Sequence, residues 1–260
     1  MINKNQMMNR KTFSKFMAVA CIVALAGCAS GPDDDLEIDN RGADELYKSA
    51  KQSLESGNFN VAATTLSAID SRYPFGPLSH QVQLDLIYAY YKSGKTEQTL
   101  ATIDRFIRLN PNHADVDYAI YMRALTNLDV DSNLFQELVG IDRADRDPSK
   151  SREAFEDFRR LIEKYPDSKY AADSKKRMVF IKNRLARYEI IIARFYMRRQ
   201  AYVAAANRGK YVLEAFPDTD QVQQALEIMV ECYDQLKLDT LKANALKTLR
   251  LNFPDSQYVS

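Results

Sequence analysis

Residues 81–111 read QVQLDLIYAYYKSGKTEQTLATIDRFIRLNP, and this stretch decides the fold. Leu84, Ile87, Tyr88 and Tyr91 recur at the spacing of one helical face, and Gly94 interrupts the run. Leu100, Ile103, Phe106 and Ile107 take up the same period again, and Pro111 closes it. The pattern predicts two amphipathic helices joined by a short glycine turn. A single pair of this kind leaves apolar faces uncovered, so it needs similar pairs stacked before and after it.

Working outward, closing prolines recur at Pro74, Pro111, Pro166, Pro217 and Pro254, with gaps of 37, 55, 51 and 37 residues. The shorter gaps are close to the tetratricopeptide repeat of about 34 residues. The strings KYPDSKY at 164–170 and NFPDSQY at 252–258 nearly duplicate one another, the mark of an internal repeat. Gly and Pro number only 8 each and strand-like alternation is nearly absent. The expectation is an all-α, right-handed solenoid of five tetratricopeptide-like helix pairs, with insertions in units three and four. Unit one pairs 43–56 with 60–73, with Ala50 and Ala62 at the contact and Phe59 packing the turn. Unit three pairs 115–129 with 149–165 around an insertion at 130–147. Unit four begins with an extended helix at 171–199 and continues at 203–216, where Gly209 permits a close approach. Unit five spans 221–236 and 241–253. The Asp or Ser after each proline is expected to cap the next helix by accepting its free N–H groups, and Asp147 with Pro148 to start the helix that follows the insertion.

The chain begins with Lys4, Arg10, Lys11 and Lys15, then an apolar run from Phe16, then Gly27 and Cys28. A basic start, a short apolar run and small residues at a cut site mark a secretory signal, residues 1–27, rather than a membrane span. The sequence LAGC at 25–28 resembles the lipobox cleaved just before a lipidated cysteine. The resemblance implies diacylglycerol and an N-acyl chain on Cys28 as the only added groups, with no cofactor. Ala29 stands where inner-membrane retention usually shows Asp, which implies the periplasmic face of the outer membrane. Residues 28–42, with Asp33, Asp34 and Asp35, read as a flexible acidic tether rather than a metal site. Cys21 leaves with the signal and Cys28 carries lipid, so Cys232 is left without a disulfide partner. It reads as a small core residue of a helix.

The formal net charge is +1. Setting aside the four bases of the first 27 residues leaves 32 Lys and Arg against 35 Asp and Glu, which argues against nucleic-acid binding. Catalysis finds no support either. His80 and His113 lack a His or Cys partner at ligand spacing, no glycine-rich phosphate loop occurs, and no nucleophile elbow occurs. The many acids are assigned to exposed helix faces.

Binding is the remaining class. The first helices of the pairs are expected to line a concave wall containing Tyr47, Lys51, Leu84, Tyr88, Tyr91, Lys92, Tyr118, Tyr121 and Leu125. Tyrosines offer broad, rigid contact area with a polar tip, suited to an extended peptide with aromatic side chains. Lys51 and Lys92 would take a terminal carboxylate. The bland alternative is that about half of these tyrosines only pack between helices.

Four strings go beyond the generic repeat: RYPFGP at 72–77, QVQLDLIYAYYK at 81–92, IDRFIRLNP at 103–111 and DRADRDP at 142–148. With YMR at 121–123 they resemble the BamD family, lipoproteins of the machinery that assembles outer-membrane β-barrels. The resemblance implies a non-enzymatic scaffold. Its N-terminal repeats, 43–166, would meet BamC and the C-terminal signal of unfolded outer-membrane proteins. Its C-terminal repeats, 167–260, would bind a POTRA domain of BamA, with Asn207 and Arg208 on that surface, and BamE is a further candidate partner. The competing reading is a periplasmic repeat lipoprotein that serves as an adaptor for cell-wall synthesis or division enzymes.

Overall fold

A computed structural model describes residues 42–131 and 148–259. The signal, the lipobox with Cys28, the tether short of Gly42 and the insertion from 132 onward lie outside the described residues. Among the described residues the chain is helical throughout, with no strand. The helices are α1 (Ala43–Glu55), α2 (Phe59–Arg72), α3 (Ser79–Lys92), α4 (Thr96–Leu109) and α5 (Val116–Asp131). They continue as α6 (Ser149–Lys164), α7 (Ala171–Arg198), α8 (Tyr202–Ala215), α9 (Val222–Gln235) and α10 (Asp239–Asn252). Each packs mainly on the helix before and the helix after it, and α3 also meets α5, as α7 meets α9. The ten helices therefore form five consecutive pairs whose first helices are neighbours.

Two local signals, repeated along the chain, set these boundaries. Every second helix stops at the residue before a proline: Tyr73, Asn110, Tyr165, Phe216 and Phe253 all adopt φ between −129 and −138°. The proline ring excludes the helical conformation from its predecessor, so the stop is steric. The first helices α1, α3, α7 and α9 end in a Schellman turn. In α1, Gly57 N–H donates to Leu54 O and Asn58 N–H to Ser53 O. The left-handed position is occupied by Gly57 (φ 77°) and Gly94 (φ 71°), then by Gln200 and Lys237, both at φ 59°. The glycine turns of units one and two thus recur in units four and five with side chains present. Those two side chains hid them from a search for glycine.

Packing follows the helical period. Ala50 and Ala62 are fully buried at the α1–α2 contact. One core cluster runs from Leu84 to Cys232 and crosses the boundary at 166–167, joining Phe158 and Leu161 to Ile181, Leu185 and Ile190. Gly209 lets α8 approach α9: a Cβ there would lie 2.9 Å from the Ala225 carbonyl oxygen and from Met229 Cγ. Cys232 is buried, and burial, with Glu231 beside it, pushes its thiol up to about 11. An inert core thiol results.

Two expectations are corrected. The polar residues after the prolines do not cap helices: α3, α7 and α9 begin after Leu78, Tyr170 and Gln221 without a side-chain cap bond. Ser168 Oγ accepts only the N–H of Tyr170, the residue before α7, at 3.2 Å; its hydroxyl donates to Asp117 Oδ2 at 2.6 Å and that of Ser256 to Glu227 Oε1 at 2.7 Å, so these hydroxyls tie a loop to an earlier helix. Pro148 stands at the N-cap of α6 rather than inside its first turn, and Asp147 lies outside the described residues. Second, not all acids lie on open faces. Asp70, Asp157 and Glu189 are buried, at 7, 8 and 1% exposure. Each is matched to an arginine distant in sequence, and buried carboxylates require such partners.

Candidate binding faces

The first helices carry the aromatic residues singled out from the sequence, and the structure divides them into two groups. Tyr47 of α1 donates its hydroxyl to Asp85 Oδ2 of α3 at 2.7 Å. Tyr91 of α3 does the same to Asp129 Oδ2 of α5 at 2.6 Å, and Tyr121 of α5 to Asp173 Oδ2 of α7 at 2.6 Å. One tyrosine–aspartate bond thus crosses each junction between the first helices of units one to four. Burial, then the adjoining aspartate, pushes the phenols of Tyr47 and Tyr91 far above their usual range. Burial acts against ionised Asp173, but bonds from Tyr121 and Arg177 outweigh it and hold that carboxyl below its ordinary value. These hydroxyls are committed within the fold.

Tyr118 and Tyr121 continue into an aromatic group: Tyr121 stacks on Tyr170 at 4.6 Å between ring centroids, and Tyr118 lies 5.8 Å from the same ring. Leu84 and Leu125 are buried at 6 and 8% exposure. They serve the core rather than an open wall, because at helical spacing they share the face of Ile87 and Leu128.

The second group forms an open corner between units one and two. Tyr88 is 38% exposed. Its ring meets the edge of Phe59 at 5.9 Å, and Lys92 Nζ stands 5.4 Å from the Phe59 centroid. One helical turn and a neighbouring helix away, Lys51 Nζ lies 3.7 Å from Asp85 Oδ2 with its side chain 43% exposed. An apolar surface with two half-open ammonium groups beside it has the chemistry to hold an aromatic side chain and a carboxylate. Phe59, read from the sequence only as turn packing, belongs to this corner; its place at the start of α2, beside a turn, was the available signal.

In the C-terminal half, Arg208 of α8 points at Glu189 of α7. Its Nη1 donates to Oε2 at 2.9 Å, and Arg152 of α6 approaches Oε1 at 3.4 Å. The hydrogen bond to Glu189 raises the Arg208 guanidinium further above its normal value. With its side chain still 41% exposed, Arg208 has one side on a buried carboxylate and the other in solvent. Asn207 is exposed, and one turn to either side of it stand Val203, 60% exposed, and Tyr211, 42% exposed. The spacing places all three on one outer stripe of α8. The sequence reading missed Val203 and Tyr211, which stand four residues to either side of Asn207, a spacing that core positions also show.

Two further charged groups are structural. Asp70 accepts bonds from Arg105 and from Gln83, and Arg123 spans Asp157 and Asp104, with Nη1 2.9 Å from Asp104 Oδ1. His80 and His113 meet edge to face at 4.9 Å, and Phe106 packs on His113. Among the described residues no group of three metal-ligating side chains occurs, and no helix is long and apolar enough to cross a membrane.

A family model described as YfiO, outer membrane lipoprotein, matches residues 39–249. The chain belongs to the BamD family. A Vibrio cholerae outer membrane protein assembly factor BamD is 44% identical over 92% of this chain and 99% of its own length. BamD proteins of Neisseria gonorrhoeae and Pasteurella multocida share 37 and 38% identity over 94 and 93% of this chain, covering 92 and 91% of their own lengths. Among solved structures, a tetratricopeptide repeat protein from Parabacteroides merdae resembles the chain at 13% identity and a TM-score of 0.38, over 80% of this chain and 78% of that one. The BamD match spans both halves of the helix array, so both faces lie within the family region.

Proposed function

We propose that this chain is a non-catalytic outer-membrane protein assembly factor, anchored by lipid on Cys28 at the periplasmic face of the outer membrane. The observation that carries this reading is the 44% identity to a relative of that name over 99% of the relative's length. The two faces are assigned separate roles. The open corner of Tyr88, Phe59 and Lys92 receives the C-terminal aromatic side chain and carboxylate of an unfolded outer-membrane protein, with Lys51 alongside. The outer stripe of α8, with Asn207 and the solvent side of Arg208, docks a POTRA domain of BamA. BamC meets the N-terminal repeats, and BamE is a second candidate on the C-terminal ones. An aromatic anchor beside a half-exposed arginine is a favourable composition for an interface centre, which supports the α8 assignment.

The test is crosslinking in native membranes followed by purification of the full chain. BamA is expected to co-purify, and Val203→Glu with Tyr211→Ala to reduce its recovery while helix content is unchanged. Recovery of cell-wall synthesis enzymes in place of BamA would overturn the proposal in favour of an adaptor for those enzymes.

A further inference from the structure

Helix α7 carries an excess of positive charge. Between Ala171 and Arg198 it carries eight Lys and Arg against two acids, Asp173 and Glu189. Both acids are taken: Asp173 by Tyr121 and Arg177, Glu189 by Arg152 and Arg208. Lys175 and Lys176 are exposed. One turn further on, Val179 and Phe180 stand 58 and 48% exposed on the same face. The two lysines also lie toward the helix N-terminus, the end where the helix dipole disfavours cations and attracts anions. Lys176 shares only the field of Asp173, a carboxylate whose hydrogen bonds come from Tyr121 and Arg177. Asp218 is held by Lys182 at 2.9 Å.

We propose that Lys175, Lys176, Val179 and Phe180 form a docking face for an acidic protein segment in which an apolar side chain is flanked by Asp or Glu. Two exposed apolar side chains bordered by two exposed ammonium groups reproduce the core-and-rim order of a protein interface. A bilayer is a poorer occupant. The apolar face of α7, with Ile181, Leu185, Ile190 and Ala193, is already buried in the protein core, so the helix cannot turn it toward lipid. This face is separate from the Tyr88 corner and from the α8 stripe, and it stands or falls independently of both.

The experiment uses the purified full-length chain in non-ionic detergent. The probe is a labelled peptide of glutamates interrupted by phenylalanines, with a glutamine-for-glutamate peptide as the control. The acidic peptide is expected to bind more tightly than the control and to weaken with salt. Lys175→Glu with Lys176→Glu should lower its affinity about tenfold, as expected for reversing rim charges. Phe180→Ser should lower it about threefold, a loss that diffuse charge attraction would not give. Unchanged affinity in the double variant would overturn the proposal. So would a double variant that loses sedimentation with phosphatidylglycerol vesicles but keeps the peptide, which assigns the face to lipid. Self-association of the free chain that the double variant abolishes would likewise assign it to a second copy.

Discussion

Arg208 Nη1 lies 2.9 Å from Glu189 Oε2, and Glu189 itself is 1% exposed. Arg208 therefore has a structural task inside the chain as well as a surface on which to meet a partner. Arg208→Ala would leave the buried carboxylate with Arg152 alone at 3.4 Å. The expected cost is about 2–3 kcal/mol, read as a lower urea midpoint with an unchanged slope. Arg208→Glu should cost more, because it sets a second carboxylate beside the first. Loss of a partner in that variant is thus no clean report on the interface, whereas variants at Val203 and Tyr211 leave Glu189 paired.

The tyrosines should separate into two classes under mutation. Tyr121→Phe removes the bond to Asp173 and is expected to cost about 1.5–3 kcal/mol, as for hydrogen bonds to charged groups. Tyr88→Ala takes away a ring that is 38% exposed together with its contact to Phe59, and should cost about 0.5–1.5 kcal/mol, while weakening a C-terminal barrel peptide about threefold to tenfold. Denaturation and peptide anisotropy on the same two variants decide it. Equal peptide affinity in Tyr88→Ala would remove the open corner as the peptide site.

Left-handed backbone at Gln200 and Lys237 strains residues that carry a Cβ. Gln200→Gly and Lys237→Gly are expected to stabilise the chain by about 0.5–1 kcal/mol each. Relief of that strain exceeds the entropy that glycine adds to the unfolded state. Thermal melts that fall rather than rise would show the turns to be unstrained.

At Gly209 the opposite substitution is informative. The Cβ of Gly209→Ala would stand 2.9 Å from the Ala225 carbonyl oxygen, and a backbone atom cannot swing aside. Forcing α8 away from α9 should cost about 1–3 kcal/mol, as overpacking does elsewhere. Hydrogen exchange on α9 and α10 should rise more than exchange on α1 to α4, and an even rise along the chain would contradict the assignment.

The five second-helix stops were legible in the sequence because a pre-proline residue obeys sterics that reach only one bond. Gly57 and Gly94 were legible for a similar reason, and the helical period gave nearly every boundary between them. The turns at Gln200 and Lys237 were placed by the expected helix bounds 171–199 and 221–236, but their left-handed backbone was not legible, since it is imposed by the helices on either side.

The sequence by itself determined the paired helices, because periodicity, proline and glycine act within a few residues. Tertiary structure decided which polar side chains face inward and which tyrosines stay open. Glu189 finds Arg208 across two helices, and Tyr121 reaches Asp173 from 52 positions away. A carboxylate is buried only where a donor meets it, and that meeting depends on how the pairs stack. No local pattern along the chain encodes it.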